Sequence, residues 1–516
     1  MPPVSKLFRL GAAAAVVLAA PAAAQAPPPL TAAAETITAD DLSDRLHLIA
    51  HDSMGGRDTP SPGLEKTAEY IARQFQAFGL QPGGDGGTYF QRYAIVRRKL
   101  DLAASHVGFS FGKVHAQAAL DRDARYAAFG GIPAKPLSAP AYLVGGTVDA
   151  AALKDLPVKG KIVLVVLDLT RPLPPAAQGA PSVLLRQAGA AGLVLVSNRD
   201  SAAFAQRLRS QPVNRLSVGG DDRSPSPVVE VHERALSEIA RLAHLDFGAI
   251  RNAATAVTRE VPGLQVTFDF KEEVVDSAQA PNVVGILEGT DPKLRHEYLV
   301  YSAHMDHVGT APSPGCSARG ADSVCNGADD DGSGTVSVVE LAQAFTQAGA
   351  RPRRSIIFLT VSGEEKGLWG SDYFATHPPV PLAQVVADLN IDMIGRNWRD
   401  TIVAIGKEHS DLGATLQRVA AAHPELGLAA IDDLWPEERF YYRSDHYNFA
   451  RRGVPILFFF SGVHPDYHQV TDSPDKIDYE KTARIVRLLF YLGQEIANAP
   501  ERPQWNPASY QEIVGK

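Results

Sequence analysis

From Pro281 onward the chain alternates short apolar runs with amphipathic stretches, and this alternation limits its fold more than any other feature. The runs Pro281–Ile286, Tyr298–Ala303, Ser355–Val361, Val385–Ile391, Thr401–Ile405 and Val454–Phe460 read as strands. Helical periodicity marks Gly334–Ala348, Leu368–His377 and Leu412–Ala422, and a last helix starts at Tyr479 and ends near Ala497. Strands that are apolar at nearly every position are buried on both faces. Helices must then cover both sides of the sheet. The fold class is therefore α/β, with a mixed, mainly parallel central sheet. Ligands in such folds gather at the carboxyl ends of the strands.

The chemistry-bearing residues fall at those ends. His304 and Asp306 follow the run Tyr298–Ala303, and Asp329, Asp330 and Asp331 open the next helix after a Gly/Ser/Pro-rich loop. Glu364 and Glu365 follow Ser355–Val361, Asp392 closes Val385–Ile391, and His468 follows Val454–Phe460. Imidazole and carboxylate donors together suit zinc or a similar divalent ion. Three adjacent carboxylates repel one another without a cation, although a solvated acidic helix N-terminus is the bland alternative. Asp329, Asp331, Ser333, Gly334 and Glu340 also fit the spacing of a calcium loop, but the turn-rich segment before them lacks the helix that motif needs. Of two adjacent acids, one can coordinate metal while the other serves as general base. Asp306 can accept the second imidazole N–H of His304. Jointly these residues can fill two metal sites that share a bridging carboxylate.

At 516 residues the chain exceeds one ordinary core, so two domains are expected. A net charge of −8 gives no reason to expect nucleic acid or an anionic membrane as partner. Lys6 and Arg9 precede the apolar stretch Leu10–Ala20 and the small residues Ala22-Ala23-Ala24. Residues 1–24 thus read as a secretory signal peptide, and the protein as exported to the periplasm or beyond. No later run is long enough to anchor it in a membrane. Residues 25–36 are Pro/Ala-rich and expected to be disordered. Cys316 and Cys325 both lie in the loop before Asp329; in an exported protein they predict one local disulfide, with two free thiols as the alternative. From 126 to 265 the texture changes to a small α/β module without a cluster of metal-type residues, with strands at Ile162–Leu167 and Leu193–Val196. The expected division is 1–24 signal peptide, 25–125 first part of the main domain, 126–265 insert, and 266–516 second part.

The motifs AHMDHVG, NGADDDGSGT, SGEEKGLWGS, LNIDMIG and YHQVTDSPD, in this order, resemble the di-zinc exopeptidases that include bacterial leucyl aminopeptidase, aminopeptidase S and glutamate carboxypeptidase II. The likeness covers about 55–95 and 280–498. The VKGKIVLV and QAGAAGLVLVSN stretches resemble the protease-associated domain often inserted in such enzymes. The resemblance implies a zinc exopeptidase fold and two Zn²⁺ per chain, with Co²⁺ or Mn²⁺ as possible substitutes. His304, Asp330 and Asp392 would hold one ion; Asp330, Glu365 and His468 would hold the other. Glu364 would be the general base, Asp306 the orienting acid and Tyr441 the oxyanion-stabilising tyrosine. The peptide after the bridging Asp330 would be cis. The implied substrate is a peptide, cut most readily from its amino end. A carboxypeptidase or dipeptidase on the same centre, a glutaminyl cyclase and a non-catalytic receptor-like protein are the alternatives. The oligomeric state is not set by these features.

Overall fold

A computed structural model describes residues 29–127, 131–153, 155–170, 180–219 and 226–515. The expected signal peptide, residues 1–24, lies outside them. The apolar runs assemble into one sheet in the spatial order Ala429–Ile431, Thr401–Ile405, Ile456–Phe460, Val385–Ile391, Tyr298–His304, Ser355–Val361, Glu272–Leu287, Phe90–Leu100 and Asn214–Val218. The four strands from Ile456–Phe460 to Ser355–Val361 are mutually parallel. Their outer neighbours, Thr401–Ile405 and Glu272–Leu287, pair with them antiparallel. The sheet is mixed, and its central parallel strands are those that end at the candidate site.

Successive side chains on each strand serve opposite layers, because the strand repeat is two. Leu299, Tyr301, Ala303, Ile356 and Phe358 join one core with the helices Pro62–Ala77, Gly334–Phe345, Leu412–Ala422 and Tyr479–Asn498. Val300, Ile357, Leu359 and Val361 join the opposite one, with Phe374 and Phe449 from the helices Trp369–Thr376 and His446–Ala450. Each fully buried aliphatic or aromatic side chain contributes about 1.5–3 kcal/mol. Residues 29–35 are helical where disorder was expected. Composition misleads there because Ala33 and Ala34 are buried in the first core and Arg487 donates to the Ile37 carbonyl at 2.8 Å.

A second sheet runs in the order Val114–Ala119, His106–Phe111, Val257–Asp269, Leu137–Gly145, Ile162–Val166, Gly192–Ser197, Val228–His232 and Ala124–Tyr126, around its own apolar core. It takes in strands from residue 106 onward. An antiparallel ribbon connects the two sheets: Phe90–Leu100 pairs with Glu272–Leu287 from Val283 opposite Phe90 out to Glu272 opposite Leu100. The strand Asn214–Val218 returns to the free edge of that ribbon. Among the described residues no helix is long and apolar enough to cross a membrane.

Candidate metal centre

Parallel register sets the site. His304, the last residue of its strand, pairs with Val361, so Glu364 and Glu365 follow just beyond the next strand's end. Asp392 follows Ile391 at the same edge. The three consecutive acids are sorted by their hydrogen bonds. Asp331 accepts from the backbone N–H of His304 (3.0 Å), Gly334 (2.9 Å) and Met393 (3.2 Å), tying three segments together. Asp329 accepts from Gly395 N–H at 2.7 Å and lies 3.2 Å from His464 Nε2. Asp472 accepts from the N–H groups of Asp329 (3.0 Å) and Asp330 (3.2 Å), which fixes the backbone leading into Asp330. The Asp330–Asp331 peptide is cis. Beneath this loop the fully buried Arg57 donates to the carbonyls of Ile49, Met305, Asn326 and Gly327 at 2.6–2.9 Å.

Two groups of donor atoms converge on Asp330: His304 with Asp392, and His307, Glu365 and His468 together. His304 Nε2 lies 3.4 Å from Asp330 Oδ1 and 3.7 Å from Asp392 Oδ2. On the other side, Asp330 Oδ2 lies 3.1 Å from His468 Nε2 and 3.6 Å from His307 Nδ1. Glu365 Oε1 lies 2.9 Å from His307 Nδ1 and 3.2 Å from His468 Nε2. Asp330 thus turns one oxygen to each group. Ser444 donates to Asp392 Oδ2 at 2.9 Å.

This donor set fits a divalent cation at each group. Donors held ~2.0–2.2 Å from a tetrahedral ion lie ~3.3–3.6 Å apart, close to the spacings found. Asp330 Oδ2, Glu365 Oε1, His468 Nε2 and both ring nitrogens of His307 are buried with no hydrogen-bond partner. Orphaned buried polar atoms are costly, and several converging at one point indicate a cation. The electrostatics agree. Burial opposes ionisation of Asp330, but His307, His304 and His468 hold it well below the usual carboxylate range. Burial and Asp330 push Glu365 upward, yet His307 and His468 keep it at about 2. Burial works against charge on His468, which Asp330 and Glu365 nonetheless raise to about 10. Positive charge is demanded at the points where an ion would sit.

A pocket opens on the cluster, lined by His304, Asp330, Glu364, Glu365 and Asp392 on its polar side and by Met393, Phe440, Phe458, Phe460 and Val463 on its apolar side. Glu364 is half-buried there; burial, with Glu365, Asp445 and Asp392, holds its carboxyl well above the usual range. Asp306 sits behind it. Its carboxylate accepts from the Glu364 N–H (3.2 Å) and the Thr59 hydroxyl (2.9 Å). The Nδ1 of His304 lies 3.2 Å from the Asp306 carbonyl oxygen and 3.8 Å from its carboxylate, so the main chain of Asp306 is the nearer partner of that imidazole.

Tyr441 does not line this pocket; it packs edge-on to His409 at 4.5 Å, and burial raises its hydroxyl pKa. The tyrosine that lines the pocket is Tyr467, stacked on His468 at 4.0 Å. Burial, then Asp330, Glu365 and Glu364, raise its hydroxyl pKa and keep it a donor. His307 is a second residue that sequence reasoning missed. In HMDHVG it follows Asp306 directly and has no metal-ligand spacing of its own; a second imidazole just past a ligand-bearing strand end is the signal that points to it. Cys316 and Cys325 form the expected disulfide, which packs with Val308 and Val470 beside the two imidazoles.

Residues 282–493 match peptidase family M28. A probable leucine aminopeptidase of Arthroderma otae is 27% identical over 236 residues, 44% of this chain and 61% of that protein. Leupeptin-inactivating enzyme 1 of Streptomyces exfoliatus is 32% identical over 203 residues, 39% of this chain and 37% of that protein. The chain spans about half the length of these curated relatives. Among solved structures, an aminopeptidase from Aneurinibacillus sp. strain AM-1 is 18% identical, with coverage of 92% of this chain and 97% of that one at a TM-score of 0.48. The matched stretch contains every member of the imidazole and carboxylate cluster, so the part of the chain that carries the site is similar to peptidase family M28.

Proposed function

We propose that the protein is an exported zinc-dependent exopeptidase, in the first instance an aminopeptidase. The observation that carries this reading is the pair of donor groups sharing Asp330, opening on a pocket that Glu364 lines. The family and its leucine aminopeptidase relative support peptide hydrolysis from the amino end. His304, Asp330 and Asp392 would hold one zinc; Asp330, Glu365 and His468 would hold the other. Bound zinc ions would polarise the scissile carbonyl and acidify an attacking water. Glu364, held beside the donor groups, is placed to take a proton from that water and return one to the leaving amine. Asp306 positions Glu364 through its backbone N–H. The Tyr467 hydroxyl donates to the developing oxyanion. The apolar wall of Phe440, Phe458, Phe460 and Val463 favours an apolar side chain on the residue released. We read the unit built on the second sheet as an inserted protease-associated domain.

One observation favours a carboxypeptidase as the second reading: Arg443, which pairs with the exposed Glu438 at 3.2 Å, also lines the pocket and could grip a substrate carboxylate. Arg451 and Arg452 do not strengthen it, since both pair with Asp372, at 2.5 and 2.8 Å. A panel of chromogenic aminoacyl substrates and end-blocked peptides, run with and without chelator, separates the two. Hydrolysis should require a free α-amine, prefer apolar residues, vanish with chelator and return with zinc. Cleavage of amino-blocked peptides from the carboxyl end would select the carboxypeptidase. Turnover that survives complete metal removal would refute both.

A further inference from the structure

His307 is wholly buried, and neither of its ring nitrogens has a hydrogen-bond partner. His304 offers a contrast: its Nδ1 rests on a carbonyl at 3.2 Å while its Nε2 faces carboxylates. An imidazole in a purely supporting role beside a metal passes its N–H to a carboxylate, carbonyl or water. His307 makes no such bond. Its Nδ1 instead meets Glu365 Oε1 at 2.9 Å and Asp330 Oδ2 at 3.6 Å, the two carboxylate oxygens that His468 Nε2 meets at 3.2 and 3.1 Å. These four atoms have the mutual spacing of four donors around one tetrahedral ion.

The local backbone is built for this approach. Gly327 passes so close to the ring that a Cβ there would lie 2.5 Å from His307 Cγ, and its φ of +58° suits glycine. His307 and His468 stand behind the pocket wall, to which His304, Asp330, Glu364, Glu365 and Asp392 contribute.

We infer that His307 is a fourth protein donor at the Glu365–His468 site, so that the two metal sites are unlike. This rests on the two-metal reading given above. One site is ringed by four protein donors, of which Asp330 and Glu365 also border the pocket. The other has three protein donors and keeps an open position on the side of Glu364, the division found between structural and catalytic zinc sites. The four-donor site holds its ion more tightly and fills first.

The test uses the full chain carrying His304→Ala, which removes the only imidazole of the open site, loaded with one equivalent of zinc. X-ray absorption should count two imidazole donors per zinc. Adding His307→Ala should reduce the count to one and weaken zinc binding by about 100-fold or more, beyond the ~10–100-fold typical of an indirect contact. Wild-type protein loaded with one equivalent supplies the same reading should His304→Ala fail to fold. One imidazole per zinc with His307 present, or unchanged affinity in His307→Ala, overturns the inference. Where wild-type protein still takes up two zinc ions and cleaves peptides, that result removes this inference alone. A wild-type chain that binds no zinc removes the inference and the proposed function together.

Discussion

Replacing Arg57 by methionine tests how the candidate site is held from below. The guanidinium makes four hydrogen bonds to backbone carbonyls, at 2.6–2.9 Å, with no exposed surface through which water could replace it. Hydrogen bonds from a charged donor contribute about 1.5–3 kcal/mol each. Four at the lower end amount to about 6 kcal/mol, and the methionine side chain recovers part of the buried stem. The expected loss is therefore about 4–6 kcal/mol, a large share of the ~5–15 kcal/mol of a folded domain. Arg57→Lys keeps the charge but presents one compact ammonium to carbonyls that lie in a fork, so about half the loss should remain. Burial lowers the arginine's own pKa, while Asp306, Asp472, Asp330 and Asp331 favour its charge. The methionine variant should accordingly depend more on zinc, with the larger loss in chelator. Guanidinium unfolding followed by circular dichroism, with chelator and with saturating zinc, measures both quantities. A loss below about 1 kcal/mol for Arg57→Met would refute the reasoning.

Three further outcomes are expected. Gly327→Ala forces a Cβ to 2.3 Å from the Asp330 carbonyl and 2.5 Å from the His307 ring, so zinc affinity should fall at least tenfold by isothermal titration while the far-ultraviolet spectrum holds. Tyr467→Phe should lower kcat by about 100-fold with KM little changed, the scale of one lost oxyanion donor, whereas Tyr441→Phe should leave kcat within about threefold. Asp388 is wholly buried; burial raises its carboxyl to about 8 against the hydrogen bond from Ser302. The folded chain then keeps a proton that the unfolded chain has released between about pH 4 and pH 8, so this group lowers stability as pH climbs through that window. Asp388→Asn should therefore gain on wild type from pH 5 to pH 8, by about 3–5 kcal/mol at most, read from denaturation midpoints at the two pH values.

Much of the main sheet was legible because its strands are buried on both faces. Ser355–Val361, Val385–Ile391 and Thr401–Ile405 end where their apolar runs end. The convergence of His304, Asp330, Glu365, Asp392 and His468 was legible because four of them lie at or beyond strand ends, Asp330 opens the helix beside them, and all are costly to bury alone. Besides His307, three features were not. Pairing direction at the sheet's flanks depends on the ribbon Phe90–Leu100 with Glu272–Leu287, whose strands are separated by the entire second sheet. Asn214–Val218 returns to that ribbon with only partly buried residues and carries no periodic signal. The tyrosine lining the pocket was not legible either: Tyr467 lies in a loop without periodic signal, whereas Tyr441, which the resemblance implies, packs against His409.

Zinc content and peptide hydrolysis measured on the same sample of Glu364→Gln bear most directly on the central claim. The variant should retain two zinc ions per chain and lose hydrolysis of an unblocked apolar dipeptide by at least about 1,000-fold, since the donors remain and the proton acceptor is gone. Wild-type rates with two bound ions would contradict the role of Glu364. Loss of zinc along with activity would make Glu364 a ligand and contradict the division of labour between Glu364 and Glu365.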